Sequence, residues 1–551
     1  MSNTKHIGEI AYVLPSVRSG EEVLSLTMSV CPYCYRVLPA TIIERGGRVY
    51  IRRVCPEHGL IEEVYYSDVE FYKRVMAFQD EGRGSRYTYT SIKTTCPFNC
   101  GLCGMHKQHS ALINLVVTNR CDLSCWYCFF YAEVSGYFYE PTIDQIRNMI
   151  RSVKKQGVTI AVQLTGGEPL LREDLVEIVK VLRDEGVRHI QLNTNGIKFA
   201  EMFIKNPIEA VEFAKNLRTS GLNTVYLSFD GITPRTNWKN HWEVPYILEV
   251  FRRSGVTSVV LVPTVIKGIN TNELGAIIKF AAKHIDIVRS VNFQPVSLTG
   301  LMKKHEREKY RITIPEVVKL IEEQTDGEIS RDSWFPVNAS VIFSRFIEGF
   351  SGEFKFEMAN HPICGVGTYV YVDKSEGKTK LIPITKFMDI EGLLEYLRDK
   401  WRDLISGSSR VLTGLRLLYS IRKFIDQEKA PREIDVFKIL INIILKRSYN
   451  ALGELHYKLL FIGQMHFMDL YNYDIQRVQR CNIHYVIPDG RLIPFCAFNI
   501  FEEIYRDKVH REFSTQITKP TKKYIRDRKL LESSEIYKKT YEGILELVVK
   551  K

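Results

Sequence analysis

Cys121, Cys125 and Cys128, in the segment CDLSCWYC, stand at C-x3-C-x2-C. A loop with that spacing can wrap three irons of a [4Fe–4S] cube and leave the fourth without a protein ligand. Zinc sites and ordinary electron-transfer clusters, the two alternatives, normally recruit four protein ligands, so the open iron is what sets a reactive centre apart. The chain's twelve cysteines fall in three tight groups plus three singletons, a distribution that points to metal binding rather than disulfides. Cys96, Cys100 and Cys103 repeat the spacing in CPFNCGLC, with His106 and His109 just after, and read as an auxiliary cluster or a structural zinc site. CPYC and CPEH supply Cys31, Cys34, Cys55 and His58 at the spacing of a zinc ribbon or rubredoxin-like knuckle, a closed mononuclear Fe or Zn site expected to be structural. Cys364, Cys481 and Cys496, in Gly- or Pro-containing turns near His361 and His484, are expected to meet as a second auxiliary cluster; the plain alternative for each is a small buried hydrophobe.

These ligands need a scaffold, and the pattern between residues 111 and 295 predicts one. Six short apolar runs (ALINLVV, TIAVQLT, HIQLNT, TVYLSF, TSVVLVPT and RSVNFQ) alternate with amphipathic helical segments. Strand, crossover helix and next strand in repetition imply a parallel sheet that closes partly into a barrel, with its working loops at the carboxyl ends of the strands. The expected fold is α/β: a partial (β/α)6 TIM-like barrel with a small N-terminal metal-binding module and a C-terminal auxiliary-cluster and helical region. The boundaries are 1–92 for the module, 93–110 for the auxiliary motif, 111–300 for the barrel and 301–389 for a connection ending in the Cys364 hairpin. A basic amphipathic helical insert spans 390–475, and the last auxiliary segment and tail span 476–551.

At 551 residues, 45% hydrophobic and 25% charged, the composition is that of a globular chain. No stretch approaches the ~18 unbroken apolar residues of a spanning helix. The first residues lack a basic region followed by an apolar run, so a cytoplasmic location is expected. A net charge of +12 favours polyanionic partners, nucleic acid or anionic lipid. Within the insert, 411–425 and 436–447 are rich in Ile, Leu, Lys and Arg; they read either as core-packed helices or as a basic amphipathic face for anionic membrane.

The cysteine motif and the strand ends after it resemble the radical S-adenosylmethionine (SAM) superfamily. In that family the open iron chelates the amino and carboxylate groups of SAM and an electron cleaves it to a 5′-deoxyadenosyl radical. The resemblance implies roles for residues at successive strand ends. Gly166, Gly167 and Glu168 of TGGEP would meet the methionyl end of SAM, with Glu168 on its ammonium. Asn193 and Asn195 would lie near the ribose, Ser228 and Asp230 would end the fourth strand, and Thr264, Val265 and Gly268 would pack on adenine. Tyr127 holds the aromatic position before the third cysteine.

Three further stretches match in order: CPFNCGLCGMHKQH leading into the motif, HPICGVGTYVYV, and MHFMDLYNYDIQRVQRCNIHYVIPDGRLIPFC. Together they resemble the archaeal tetraether lipid synthases over most of the chain. That resemblance implies a mononuclear metal, one radical SAM and two auxiliary [4Fe–4S] clusters, and a reaction joining terminal carbons of phytanyl chains of archaeal diether lipids. It further implies a diether lipid substrate and a low-potential electron donor; the basic insert adds an expected peripheral contact with anionic membrane at the inner face, and no nucleic acid partner is expected. Related radical SAM activities stay open: cross-linking lipid chains mid-length, methylating a pterin or modifying a peptide. From another class, an iron–sulfur electron carrier would give TGGEP no use.

Overall fold

The N-terminal module is a four-stranded antiparallel meander of β1 (Glu22–Val30), β2 (Val37–Arg45), β3 (Arg48–Cys55) and β4 (Gly59–Tyr66), followed by α1 (Val69–Met76). The computed structural model describes residues 6–130, 136–158, 160–302, 304–352, 356–375, 377–433, 435, 437–438, 440–441, 457, 459–516 and 521–549. One end of the meander has its own small cluster of Cys31, Cys34, Leu38, Cys55 and Ile61. So little apolar interior needs a metal to hold it. On the sheet, buried Arg52 forms a bidentate pair with Glu21 at 2.5 and 2.7 Å and reaches Glu62 at 2.6 Å.

The central unit starts with β5 (Leu112–Thr118) and a short β6 (Tyr137–Phe138). It continues with α2 (Ile143–Lys154), β7 (Ala161–Gly166), α3 (Leu175–Asp184), β8 (His189–Thr194), α4 (Ile197–Lys205), α5 (Pro207–Ser220), β9 (Thr224–Ser228) and α6 (Val244–Ser254). The last crossover joins β10 (Val259–Val262) and β11 (Thr264–Val265) through α7 (Leu274–Lys283) to β12 (Val288–Pro295). β5, β7, β8, β9, β10 and β12 lie side by side in that order, all parallel. Ile113, Leu115, Val162, Leu164, Ile190 and Leu192 form one buried layer with Ile146, Met149 and Ile150 of α2. Strand alternation puts Gln163, Thr165, Gln191 and Asn193 on the opposite face, so the concave side of the sheet is polar.

The C-terminal third extends this sheet at both edges. β16 (Leu460–Met465) adds in parallel to β12, and β14 (Gly365–Asp373) pairs antiparallel with β16, flanked by β13 (Phe335–Pro336) and β15 (Lys380–Pro383). At the other edge β17 (Ile483–Val486) adds in parallel to β5 and turns back as β18 (Leu492–Pro494). The strand order runs from β13 to β18 without closing, which makes the unit a partial barrel. Residues 466–482 carry the chain from the β12 edge to the β5 edge.

One boundary needs correction. The helical insert expected over 390–475 ends before β16, because LFIGQM is a strand buried between β12 and β14. A short apolar run has no periodicity that separates strand from helix; its partners decide. Upstream, Leu417 and Ile421 pack with Leu393, Leu394, Leu397 and Phe346, as core-packed helices would. The same stretch exposes Val411 (74%), Leu415 (57%) and Tyr419 (77%). Most of 436–447 lies outside the described residues.

Candidate radical SAM centre

Cys121, Cys125 and Cys128 sit on the loop after β5, at the carboxyl end of the parallel strands. The glycines of TGGEP serve that loop directly. Gly167 lies so close to it that a Cβ would stand 2.0 Å from the Arg120 carbonyl oxygen, and at Gly166 (φ +138°) one would stand 2.0 Å from the Thr118 oxygen. The Gly167 and Glu168 amides donate to those two carbonyls, Gly167 to Thr118 at 2.9 Å and Glu168 to Arg120 at 2.7 Å.

Glu168 is buried, and its carboxylate accepts from Thr194 Oγ1 (2.6 Å), the Asn195 amide (2.7 Å) and the Leu170 amide (3.0 Å). It therefore ties the end of β7 to the end of β8. Burial, then the nearby Asp122 charge, push it up to about 8 against those hydrogen bonds. Asn195 Nδ2 donates to Asp122 at 2.8 Å, next to Cys121, and Asn193 reaches Thr165 at 3.5 Å. Asp230 is a hub: Oδ1 accepts the Thr264 amide at 2.9 Å, and Oδ2 accepts the Tyr127 hydroxyl and pairs with Lys239 at 2.8 Å. Ser228 accepts an Asn240 hydrogen bond at its carbonyl, and Val265 pairs with Pro295 of β12. Gly268 takes a left-handed turn, φ +72°, just past β11. Glu168, Asn195, Asp230 and Tyr127 thus meet at the cysteine loop, while the contacts of Asn193, Ser228 and Val265 run to neighbouring strands and turns.

Lys239 was missed, because a lone lysine between two strands carries no motif. It is buried with its ammonium 4.9 Å from the centre of the Tyr127 ring. Burial pushes the Cys125 thiol up to about 12, and Lys239 opposes that rise. The tail was missed too. Lys523 donates to the Cys121 carbonyl at 2.8 Å, the Tyr524 amide to the Asp122 carbonyl at 3.0 Å, and Arg526 pairs with Glu243 at 2.6 Å. The segment 523–526 therefore straps the cysteine loop to the 239–243 turn.

In the module, Cys34 and Cys55 sulfurs stand 3.8 Å apart, and His58 Nδ1 lies 3.6 Å from Cys31 and 3.5 Å from Cys55. Thiolates about 2.3 Å and an imidazole nitrogen about 2.0 Å from one tetrahedral ion stand roughly 3.8 and 3.5 Å apart, so the four residues fit a mononuclear metal. Among the described residues this is the one Cys/His/Asp/Glu group whose ligand atoms all lie within 4.8 Å of one another.

Five of the other cysteines border a single apolar cluster. Cys496 is buried in it, and Cys96, Cys100, Cys128 and Cys481 pack on it. Cys364 accepts from Arg477 Nε at 3.4 Å, and its carbonyl accepts the His466 amide at 2.9 Å. Burial raises the Cys481 thiol, and the Cys496 and Cys364 charges raise it further, so these three singletons lie within electrostatic reach of one another. Buried His361 has no hydrogen-bond partner at Nδ1, while His109 Nε2 accepts the Glu357 amide at 3.1 Å.

Residues 115–281 match the radical SAM superfamily model, and 23–67 match the HMPTM N-terminal zinc ribbon domain. The chain belongs to the radical SAM superfamily, and its centre uses a [4Fe–4S] cluster and SAM. It is 42% identical over 497 residues to the 7,8-dihydro-6-hydroxymethylpterin dimethyltransferase of Methanocaldococcus jannaschii, covering 89% of this chain and 95% of that protein. It is 27% identical over 258 residues to a probable GTP 3′,8-cyclase of the same organism, 46% of this chain and 78% of that one. Among solved structures, Streptococcus suis SuiB bound to S-adenosylmethionine superposes with a TM-score of 0.31 at 17% identity, over 40% of this chain and 48% of that one. Among the described residues no helix is long and apolar enough to cross a membrane.

Proposed function

We propose that this chain forms carbon–carbon bonds at carbons that acid–base chemistry cannot activate, with a pterin as the substrate class, after its 42%-identical relative. The observation that carries the reading is the 42% identity to a pterin dimethyltransferase along nearly the whole of both chains. When bound at Cys121, Cys125 and Cys128, the cluster and SAM supply a 5′-deoxyadenosyl radical that takes hydrogen from carbon.

The chain's own residues do the rest. Asp230 joins the cysteine loop, the end of β9 and β11 through Tyr127, Lys239 and Thr264, and Glu168 joins β7 to β8. SAM is read as lying along these strand ends, with Asn193, Asn195 and Ser228 beside it. Lys523 and Tyr524 cover the loop and limit water there. Tyr127 packs with Ile266, Val296, Leu298, Met302 and Tyr310 in a buried apolar cluster that backs the cysteine loop. Cys96, Cys100 and Cys103, and Cys364, Cys481 and Cys496, are read as auxiliary cluster ligands.

A second substrate reading, coupling of phytanyl chains into tetraether lipids at the membrane surface, is favoured by the exposed Val411, Leu415 and Tyr419 on a helix that also carries Arg410 and Arg416. The test offers anaerobically reconstituted protein, SAM, a reductant and a one-carbon donor either 6-hydroxymethyl-dihydropterin or an archaeal diether lipid, and reads products by mass. A methylated pterin supports the first reading and a coupled lipid replaces it by the second. Neither product, with SAM still cleaved, overturns both.

A further inference from the structure

We propose that the Cys96, Cys100 and Cys103 site is a Cys3His cluster site, with His106 Nδ1 as its fourth ligand. The inference is independent of the substrate and rests only on the reading of these cysteines as cluster ligands.

The three cysteines line one small cavity together with Leu102, Met105 and His106. The turn that follows the last cysteine sets the histidine there, with the His106 amide donating to the Cys103 carbonyl at 2.9 Å. The ring is buried, and its Nε2 lies 2.7 Å from the Cys481 carbonyl oxygen. A carbonyl only accepts, so Nε2 carries the hydrogen, and in a neutral imidazole the lone pair is then on Nδ1. Metal-binding histidines are held in just this way, one nitrogen donating to a carbonyl or carboxylate and the other ligating.

The surrounding shell accommodates that tautomer with the His484 hydrogen on Nδ1, donating to Ser110 Oγ, so that His484 Nε2 accepts. His484 Nε2 stands 3.1 Å from His106 Nε2, and His484 Nδ1 stands 2.8 Å from Ser110 Oγ, which accepts from Gln156 Nε2 at 3.0 Å. All four side chains are buried. The ligand atoms of this set are spread wider than the 4.8 Å grouping of the zinc-ribbon site. A cube takes each ligand on its own iron and so accommodates a wider spread than a single ion does. With four protein ligands the cluster has no open iron, so it serves electron transfer rather than substrate binding. Its histidine also links it to the Cys481 carbonyl, on the edge of the other auxiliary set.

The test uses the full chain carrying C121A/C125A/C128A, so that the radical SAM cluster is absent, reconstituted anaerobically with iron and sulfide and reduced. Pulsed EPR is expected to show a directly coordinated nitrogen whose coupling changes with ¹⁵N-histidine labelling. In H106C, which keeps a fourth ligand, that nitrogen should vanish while iron and sulfide content stay. No coordinated nitrogen, or one that persists unchanged in H106C, overturns the assignment. Iron and sulfide content unaltered by C96A/C100A/C103A instead removes the cluster reading beneath it, so the two failures are distinct.

Discussion

A buried ammonium beside a thiolate set is a device for shifting charge. Lys239 pairs with Asp230 at 2.8 Å and lies over Tyr127, between Cys125 and Cys128 in the chain. Net charge near an iron–sulfur cluster tunes its potential. K239M leaves Asp230 uncompensated and is expected to lower the cluster's midpoint potential, D230N to raise it, and K239R to keep it near wild type. Redox titration followed by EPR checks this; shifts of the same sign in K239M and D230N would mean packing damage instead of charge. Sequence named Asp230 and Tyr127 because they follow motif positions at strand ends. It was blind to Lys239, whose partner comes from another segment and whose role exists only once β9 and the cysteine loop meet. Glu168 and the two glycines stand together in the sequence as TGGEP, but spacing does not show that they brace the cysteine loop and one another.

At the scale of elements, β7 and the cysteine loop approach closely because residue 167 has no side chain. G167A would drive a Cβ to 2.0 Å from the Arg120 carbonyl. It is expected to destabilise the barrel by about 1–3 kcal/mol and to reduce iron bound at Cys121, Cys125 and Cys128, read by unfolding and by iron content. The module's metal gives a readout of its own, although its strands share the main core through Ile42, Val49, Ile51 and Tyr65. C31S removes one of four ligands from a closed site, so its metal content and melting temperature should fall while the folded remainder still cleaves SAM. Its acid stability has a named source as well. The Arg52 guanidinium holds the Glu21 carboxylate at about 2, below its ordinary 4.5. A depressed carboxylate contributes stability above its unfolded value and loses it as pH falls toward the folded one. Thermal unfolding of the wild type should therefore weaken between about pH 4.5 and 2, and R52M should show a shallower dependence there. The meander was legible from its paired cysteine turns and alternating strands. β16 was not, because LFIGQM becomes a strand only through β12 and β14 on either side.

At the scale of the whole molecule, the six parallel strands were legible because each apolar run is followed by an amphipathic helix, and that period survives in a single sequence. The closing arrangement was not, since β16 and β17 join opposite edges of the sheet from a region that reads locally as helix and loop. That topology brings the late cysteines toward the early ones: Cys481 precedes β17, Cys496 follows β18, and both border the apolar cluster that Cys96, Cys100 and Cys128 touch. The tail then straps the cysteine loop through Lys523 and Tyr524. The strand ends, the tail and Lys239 converge on one reactive loop, and the most direct test of its role is 5′-deoxyadenosine formation from SAM under anaerobic reduction. The wild type should produce it, and C121A/C125A/C128A should produce none while keeping the zinc-ribbon metal and a folded circular dichroism spectrum. Undiminished 5′-deoxyadenosine from that folded triple variant would contradict the account.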